Sequence, residues 1–131
     1  MNLGVVCGSF HRESIEIMLE YARDEAVSKN WTVHEIVWVP GSMEAPLALD
    51  RILQKEDIHG AIVLGIIEKG ETDHGLVMGQ SVTRSIIDLQ IKYNKPIGLG
   101  IIGPGASPEH IEPRLEPHAR SAVGAVAAMS V

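Results

Sequence analysis

Three short apolar runs constrain this chain more than any other feature: residues 3–7 (LGVVC), 60–67 (GAIVLGII) and 97–102 (IGLGII). Each is nearly free of polar residues, the pattern of a strand in a parallel sheet covered on both faces. A fourth run, residues 32–39 (TVHEIVWV), carries more polar side chains and reads as an edge strand. Helical stretches lie between them. Residues 13–28 place Ile15, Met18, Leu19, Ala22 and Ala26 at helical spacing. A shorter helix is expected at about residues 45–53, and a long one at about residues 72–93. In the long helix Met78, Val82, Ile86, Leu89 and Tyr93 form one stripe, while Val77, Ile87 and Ile91 lie off it. That is more apolar surface than one sheet face covers. In the last helix Ala122, Val123, Val126 and Met129 suit helical packing, but Pro113 and Pro117 each remove a backbone donor. A kink, or a start near Pro117, is expected.

Four strands alternating with four helices predict an α/β fold, a three-layer α/β/α sandwich with right-handed crossovers. At 131 residues the chain fits a single domain over 1–131. Its 45% apolar and 21% charged residues argue against disorder. No apolar run approaches the roughly 20 residues of a membrane helix, and no basic stretch leads into a long apolar region at the N-terminus. A cytoplasmic protein without a membrane partner is the expectation. A net charge of −6 disfavours nucleic acid and anionic membrane surfaces, which need a basic footprint. Cys7, the single cysteine, excludes an internal disulfide and is expected to be a buried thiol.

Ligands of open parallel sheets bind beyond the carboxyl ends of the strands, so chemistry is sought in the loops there. The first holds Gly8-Ser9-Phe10-His11, the second Pro40-Gly41-Ser42-Met43-Glu44, the third residues 69–74 (KGETDH) and the fourth Gly103-Pro104-Gly105. Alternating topology places all four on one rim. In the third, backbone donors, the Thr72 hydroxyl and the positive end of the helix dipole suit a phosphate. Ordinary capping by Thr72 explains the same residues, and spacing alone favours it. His74 falls in the first helical turn, where a near-neutral imidazole suits proton transfer, or is simply a solvated histidine. Phe10, the only phenylalanine, either stacks on a flat heterocycle or staples the following helix. Glu44 stands at a helix entrance, favoured by the dipole whether or not it also binds hydroxyls. Histidines 11, 34, 59, 110 and 118 show no close metal-ligand spacing, so no metal is expected.

Together, residues 39–48 (VPGSMEAPLA), 65–74 (GIIEKGETDH) and 96–100 (PIGLG) followed by Gly103-Pro104-Gly105 resemble the lumazine synthase family, especially its archaeal-type branch. The resemblance runs over nearly the whole chain and implies a flavodoxin-like sandwich with a four-stranded parallel sheet. It implies condensation of 5-amino-6-(D-ribitylamino)uracil with 3,4-dihydroxy-2-butanone 4-phosphate, in riboflavin biosynthesis and without a cofactor. By it, Phe10 stacks on the pyrimidine, Ser42, Met43 and Glu44 meet the ring and ribityl chain, and Ile66, Ile67 and Glu68 line the same pocket. Glu71 and Thr72 bind the phosphate, His74 transfers protons, and Leu99 and Arg114 reach in from a neighbouring subunit of a pentamer or an assembly of pentamers. His11 departs from the asparagine usual after the phenylalanine, Met43 from a frequent aromatic, and Gly75 from a bulkier residue.

Two enzyme readings therefore stand beside each other, since an archaeal-type riboflavin synthase would consume lumazine; the Gly-Glu-Thr-Asp-His run favours its formation. A flavodoxin-like FMN-binding module is a third reading, but Gly8-Ser9-Phe10-His11-Arg12 lacks the dense Ser/Thr and Gly pattern of such a phosphate loop. A structural shell protein without activity is a fourth, against which the joint presence of Phe10, Glu44, Thr72 and His74 counts.

Overall fold

The structure, a computed structural model, describes residues 1–130. Along β1 (Asn2–Gly8) alternate side chains enter two different cores: Leu3, Val5 and Cys7 one, Val6 the other. β3 (Gly60–Glu68) does the same, sending Ile62, Leu64 and Ile66 to the first core and Ala61, Val63 and Ile67 to the second. Neither strand has a solvent face, which is why both read as continuous apolar runs. β1 pairs with β2 (Thr32–Val39) and with β3, and β3 pairs with β4 (Ile97–Ala106). All pairs are parallel, in the order β2-β1-β3-β4. The more polar β2 lies at an edge, as expected.

Helix α1 (Arg12–Ser28) buries Ile15, Met18, Leu19, Ala22 and Ala26, the five residues expected from spacing, against the first core. Helix α5 (Leu115–Met129) joins it there through Ala119, Ala122, Val123 and Val126. On the opposite face α2 (Ala45–Leu53) and α3 (His74–Tyr93) close the second core. The result is an α/β sandwich with a four-stranded parallel sheet between helix layers, consistent with the flavodoxin-like expectation. Val82 and Ile86 of the α3 stripe are buried, whereas Val77, Ile87 and Ile91 remain 57%, 47% and 76% exposed. No helix among the described residues is long and apolar enough to cross a membrane.

Several expectations are corrected. The fourth strand does not stop at Ile102 but continues to Ala106, so Gly103-Pro104-Gly105 belongs to it rather than to a loop. The extension carries positive φ at Gly103 (105°) and Gly105 (87°), which bend the backbone while Lys69 N–H still reaches the Ala106 carbonyl at 2.8 Å. The long helix begins at His74, not Thr72. The C-terminal segment contains an additional short helix, α4 (Pro108–Ile111), then a 3-10 turn (Glu112–Arg114) that takes up Pro113. α5 starts at Leu115, so Pro117 falls in its first turn, where a missing N–H leaves no intrahelical bond unmade.

Cys7 is fully buried, and burial pushes its thiol up to about 12 against the weaker opposing pull of Arg12 and Arg23. A neutral, inaccessible thiol is inert at physiological pH. Asp50 ties α2 to α3, accepting from Tyr93 Oη at 2.7 Å, Gln54 Nε2 at 2.8 Å and Lys92 Nζ at 3.1 Å. The Tyr93 hydrogen bond first, then that of Lys92, holds the Asp50 carboxyl below its ordinary 3.8. A carboxyl depressed in the folded state stabilises above its unfolded value, and that contribution disappears as pH falls through the folded one. Tyr93→Phe is thus expected to cost about 0.5–1 kcal/mol at pH 7 and less in acid. Urea unfolding of both proteins at neutral and low pH checks this; an equal difference at both pH values would refute it.

Candidate active site

In a sheet of order β2-β1-β3-β4, successive crossovers leave β1 and β3 in opposite directions, which opens a crevice at their carboxyl ends. A cleft of about 460 Å³ lies there. One wall is the loop after β1. Ser9 fastens this loop to the next, its N–H donating to the Val39 carbonyl at 2.8 Å and its hydroxyl to the Pro40 carbonyl at 3.3 Å. Phe10 then projects into the cleft with 52% of its surface exposed. A staple would be covered by its helix, so this exposure favours a ring kept open for stacking.

The second wall is a 3-10 turn, Ser42–Glu44, leading directly into α2. Ser42 is buried beneath the cleft, facing Gly65, where a Cβ would come within 3.1 Å of its Oγ. Met43 and Glu44 stand exposed on the rim. Ile66 and Ile67 carry the apolar floor to the end of β3, where Glu68 is half-buried. The Glu68 Oε1 lies 2.5 Å from His11 Nε2, within ion-pair distance but outside hydrogen-bond alignment, and Nε2 itself is enclosed. His11 holds a left-handed backbone (φ 60°, ψ 47°) at the entrance to α1, a conformation that asparagine adopts more readily than most side chains. Its ring meets Phe10 edge-on, with centroids 4.5 Å apart. Gly75 also has a local reason: a Cβ there would lie 3.0 Å from the Glu68 carbonyl and 3.3 Å from Ile67 Cγ2.

The third wall is the turn before α3. Thr72 Oγ1 accepts the His74 N–H at 3.3 Å, so the capping reading holds for that donor. Asp73 at the N-cap makes no side-chain capping bond, so the first-turn N–H groups other than that of His74 gain no partner from it. His74, the first residue of α3, is exposed on the cleft. An adjoining depression of about 440 Å³ is bordered by Glu68, Lys69, Gly70, Glu71, Thr72, Asp73, Pro104 and Gly105. The fourth rim segment therefore meets the turn before α3 rather than the cleft beside Phe10.

Phe10, Ser42, Met43, Glu44, Ile66, Ile67, Glu68, Thr72 and His74 thus border one space. Glu71 borders the adjoining depression only. Leu99, 43% exposed on β4, and Arg114, whose Nη1 donates to the His110 carbonyl at 3.0 Å, do not line the cleft of their own chain. Met78, Gly70 and Pro40 also line it, without any sequence signal that distinguishes them from packing or turn residues. The His11 contact with Glu68 went unread too; its only trace was a histidine beside the sole phenylalanine.

A family model described as 6,7-dimethyl-8-ribityllumazine synthase matches residues 1–131. Curated proteins of that name are similar over most of the chain. The one from Picrophilus torridus is 41% identical over 116 residues, 88% of this chain and 85% of its own length. That from Metallosphaera sedula is 38% identical over 130 residues, covering 99% and 86%. That from Methanobrevibacter smithii is 37% identical over 119 residues, covering 91% and 82%.

Proposed function

The chain belongs to the 6,7-dimethyl-8-ribityllumazine synthase family, and we propose that the cleft between β1 and β3 is where it condenses 5-amino-6-(D-ribitylamino)uracil with 3,4-dihydroxy-2-butanone 4-phosphate. It is a transferase of riboflavin biosynthesis. One observation carries the assignment of the cleft: an exposed aromatic ring, a histidine and an open helix N-terminus converge on one space. Phe10 stacks on the pyrimidine, with Ser42, Met43 and Glu44 along the ribityl chain and Ile66, Ile67 and Glu68 below. Thr72 and the α3 N-terminus hold the phosphate, with Glu71 contributing its backbone so that its carboxylate turns away from a like charge.

The uracil's primary amine attacks the ketone and water leaves as the imine forms; phosphate is then eliminated, and the ribitylamino nitrogen closes the ring on the remaining carbonyl carbon with loss of a second water. Both reactants carry the groups that react, so orienting them supplies much of the rate. His74 moves the protons that amine addition, imine formation and elimination require. Release of phosphate that depends on both precursors tests the assignment. Consumption of lumazine alone would point instead to riboflavin synthase, a reading the family match does not favour.

The active unit is a homo-oligomer, a pentamer, with residues 1–131 as one cytoplasmic lumazine-synthase-like domain per subunit. Val77, Ile87 and Ile91 leave an apolar patch on α3 of the kind that association covers, and a closed ring avoids an open filament. Leu99 and Arg114, which lie outside the cleft of their own chain, then complete a neighbour's site. Sedimentation across a dilution series, with activity measured on the same samples, is expected to show activity following the oligomer. A fully active monomer would overturn it. Arg114→Ala is expected to raise the Michaelis constant for the sugar phosphate about tenfold and that for the uracil much less, through loss of one charge-assisted contact. Equal weakening for both substrates would place Arg114 elsewhere.

A further inference from the structure

We propose that His11 is a positioning residue for the sugar phosphate, acting through Glu68; the proposal rests on the function assigned above to the cleft. Glu68 borders both the ring cleft and the anion-loop depression, so its carboxylate stands at the junction of the two substrates. The surroundings are already acidic. Glu44 borders the cleft, Glu71 and Asp73 border the depression, and Lys69 is the cation among them. A dianionic phosphate at the α3 N-terminus must rest beside this carboxylate, and a like charge facing it directly weakens binding.

His11 removes that conflict by geometry. Its Nε2, enclosed and without a hydrogen-bond partner among the described residues, sits against Glu68 Oε1. The backbone leaves the imidazole little choice of place. Its φ of 60° sets the turn into α1, its carbonyl accepts the Ile15 N–H at 3.1 Å, and its ring is braced edge-on by Phe10. The imidazole therefore holds the carboxylate on the Phe10 side, towards the α1 entrance, and away from the anion loop. Without it, Glu68 is free to swing towards the phosphate.

The test is His11→Gly, which keeps a positive φ without strain and removes only the imidazole, made in the native background and in the Glu68→Gln background. In the native background the Michaelis constant for the sugar phosphate is expected to rise about tenfold and that for the uracil less than about twofold. The rise shrinks in high salt, which screens partly exposed charges. In the Glu68→Gln background the same substitution is expected to change the sugar phosphate constant less than about twofold, because the repelling charge is gone. Calorimetric titration with inorganic phosphate repeats the comparison without turnover. A chain that makes no lumazine but shows this coupling in phosphate binding would refute the assigned function, not the role of His11. Equal rises for both substrates, or the same effect of His11→Gly in both backgrounds, would overturn the proposal. If His11→Gly melts below the assay temperature, His11→Asn carries the comparison, with a smaller rise in the same direction, since asparagine tolerates the left-handed backbone.

Discussion

His74→Ala is expected to lower turnover by up to about a hundredfold, while the Michaelis constants for both substrates stay within about twofold. The structure makes the substitution a clean one. His74 is exposed, opens α3 and adds nothing to either core, so alanine, a strong helix former, leaves the scaffold in place. On the proposed assignment, Phe10, the Ser42–Glu44 turn and the turn before α3 still orient both substrates, so activity falls without vanishing. What is lost is the imidazole proposed to pass protons as the amine adds and phosphate leaves. Steady-state kinetics on the purified variant separate the two effects. An unchanged turnover number would remove His74 from the mechanism, and a selective rise in one Michaelis constant would make it a binding residue instead.

Gly98→Ala is expected to destabilise the protein by about 3 kcal/mol or more, enough to lower its folding equilibrium at least a hundredfold. Gly98 lies in β4 under α5. A Cβ at this position would fall 2.0 Å from the Ala122 carbonyl oxygen, 2.6 Å from its carbon and 2.9 Å from its Cα. These are backbone atoms of a helix, so no side chain can rotate aside. α5 must lift from the sheet, and Ala119, Ala122, Val123 and Val126 lose their packing together. Gly124 of the same helix is the control, because a Cβ there meets nothing within 4 Å. Gly124→Ala is expected to be neutral or to stabilise by up to about 1 kcal/mol, from helix propensity alone. Denaturant unfolding of the three proteins at one concentration, which fixes the contribution of association, gives both differences. A Gly98→Ala protein as stable as the parent would mean that α5 does not seat this closely.

The two substitutions probe parts of the molecule that were unequally legible beforehand. Period and burial are local statistics. A run such as GAIVLGII leaves no solvent face, and Ile15, Met18, Leu19, Ala22 and Ala26 repeat at the helical period, so β3 and α1 were readable from residue order. The exposed Val77, Ile87 and Ile91 were readable for the same reason, as apolar positions off the stripe. That Phe10 and His74 border one cleft was readable because each follows closely on a strand's carboxyl end, and parallel topology brings those ends together. Glu71 shares that loop with Thr72, yet only the turn before α3 decides which of them faces the cleft.

Residue order dictates the alternation of strands and helices, which faces are apolar and which rim gathers Phe10, Thr72 and His74, because each depends on near neighbours in the chain. Distances between segments remote in sequence obey no such rule. The meeting of His11 with Glu68, the close seat of α5 on Gly98, the run of β4 through Gly103 and Gly105 to Ala106, and the placing of Leu99 and Arg114 outside their own cleft arise only when the layers pack. Each is set by where whole elements come to rest against one another, and that is fixed by close packing of both cores at once.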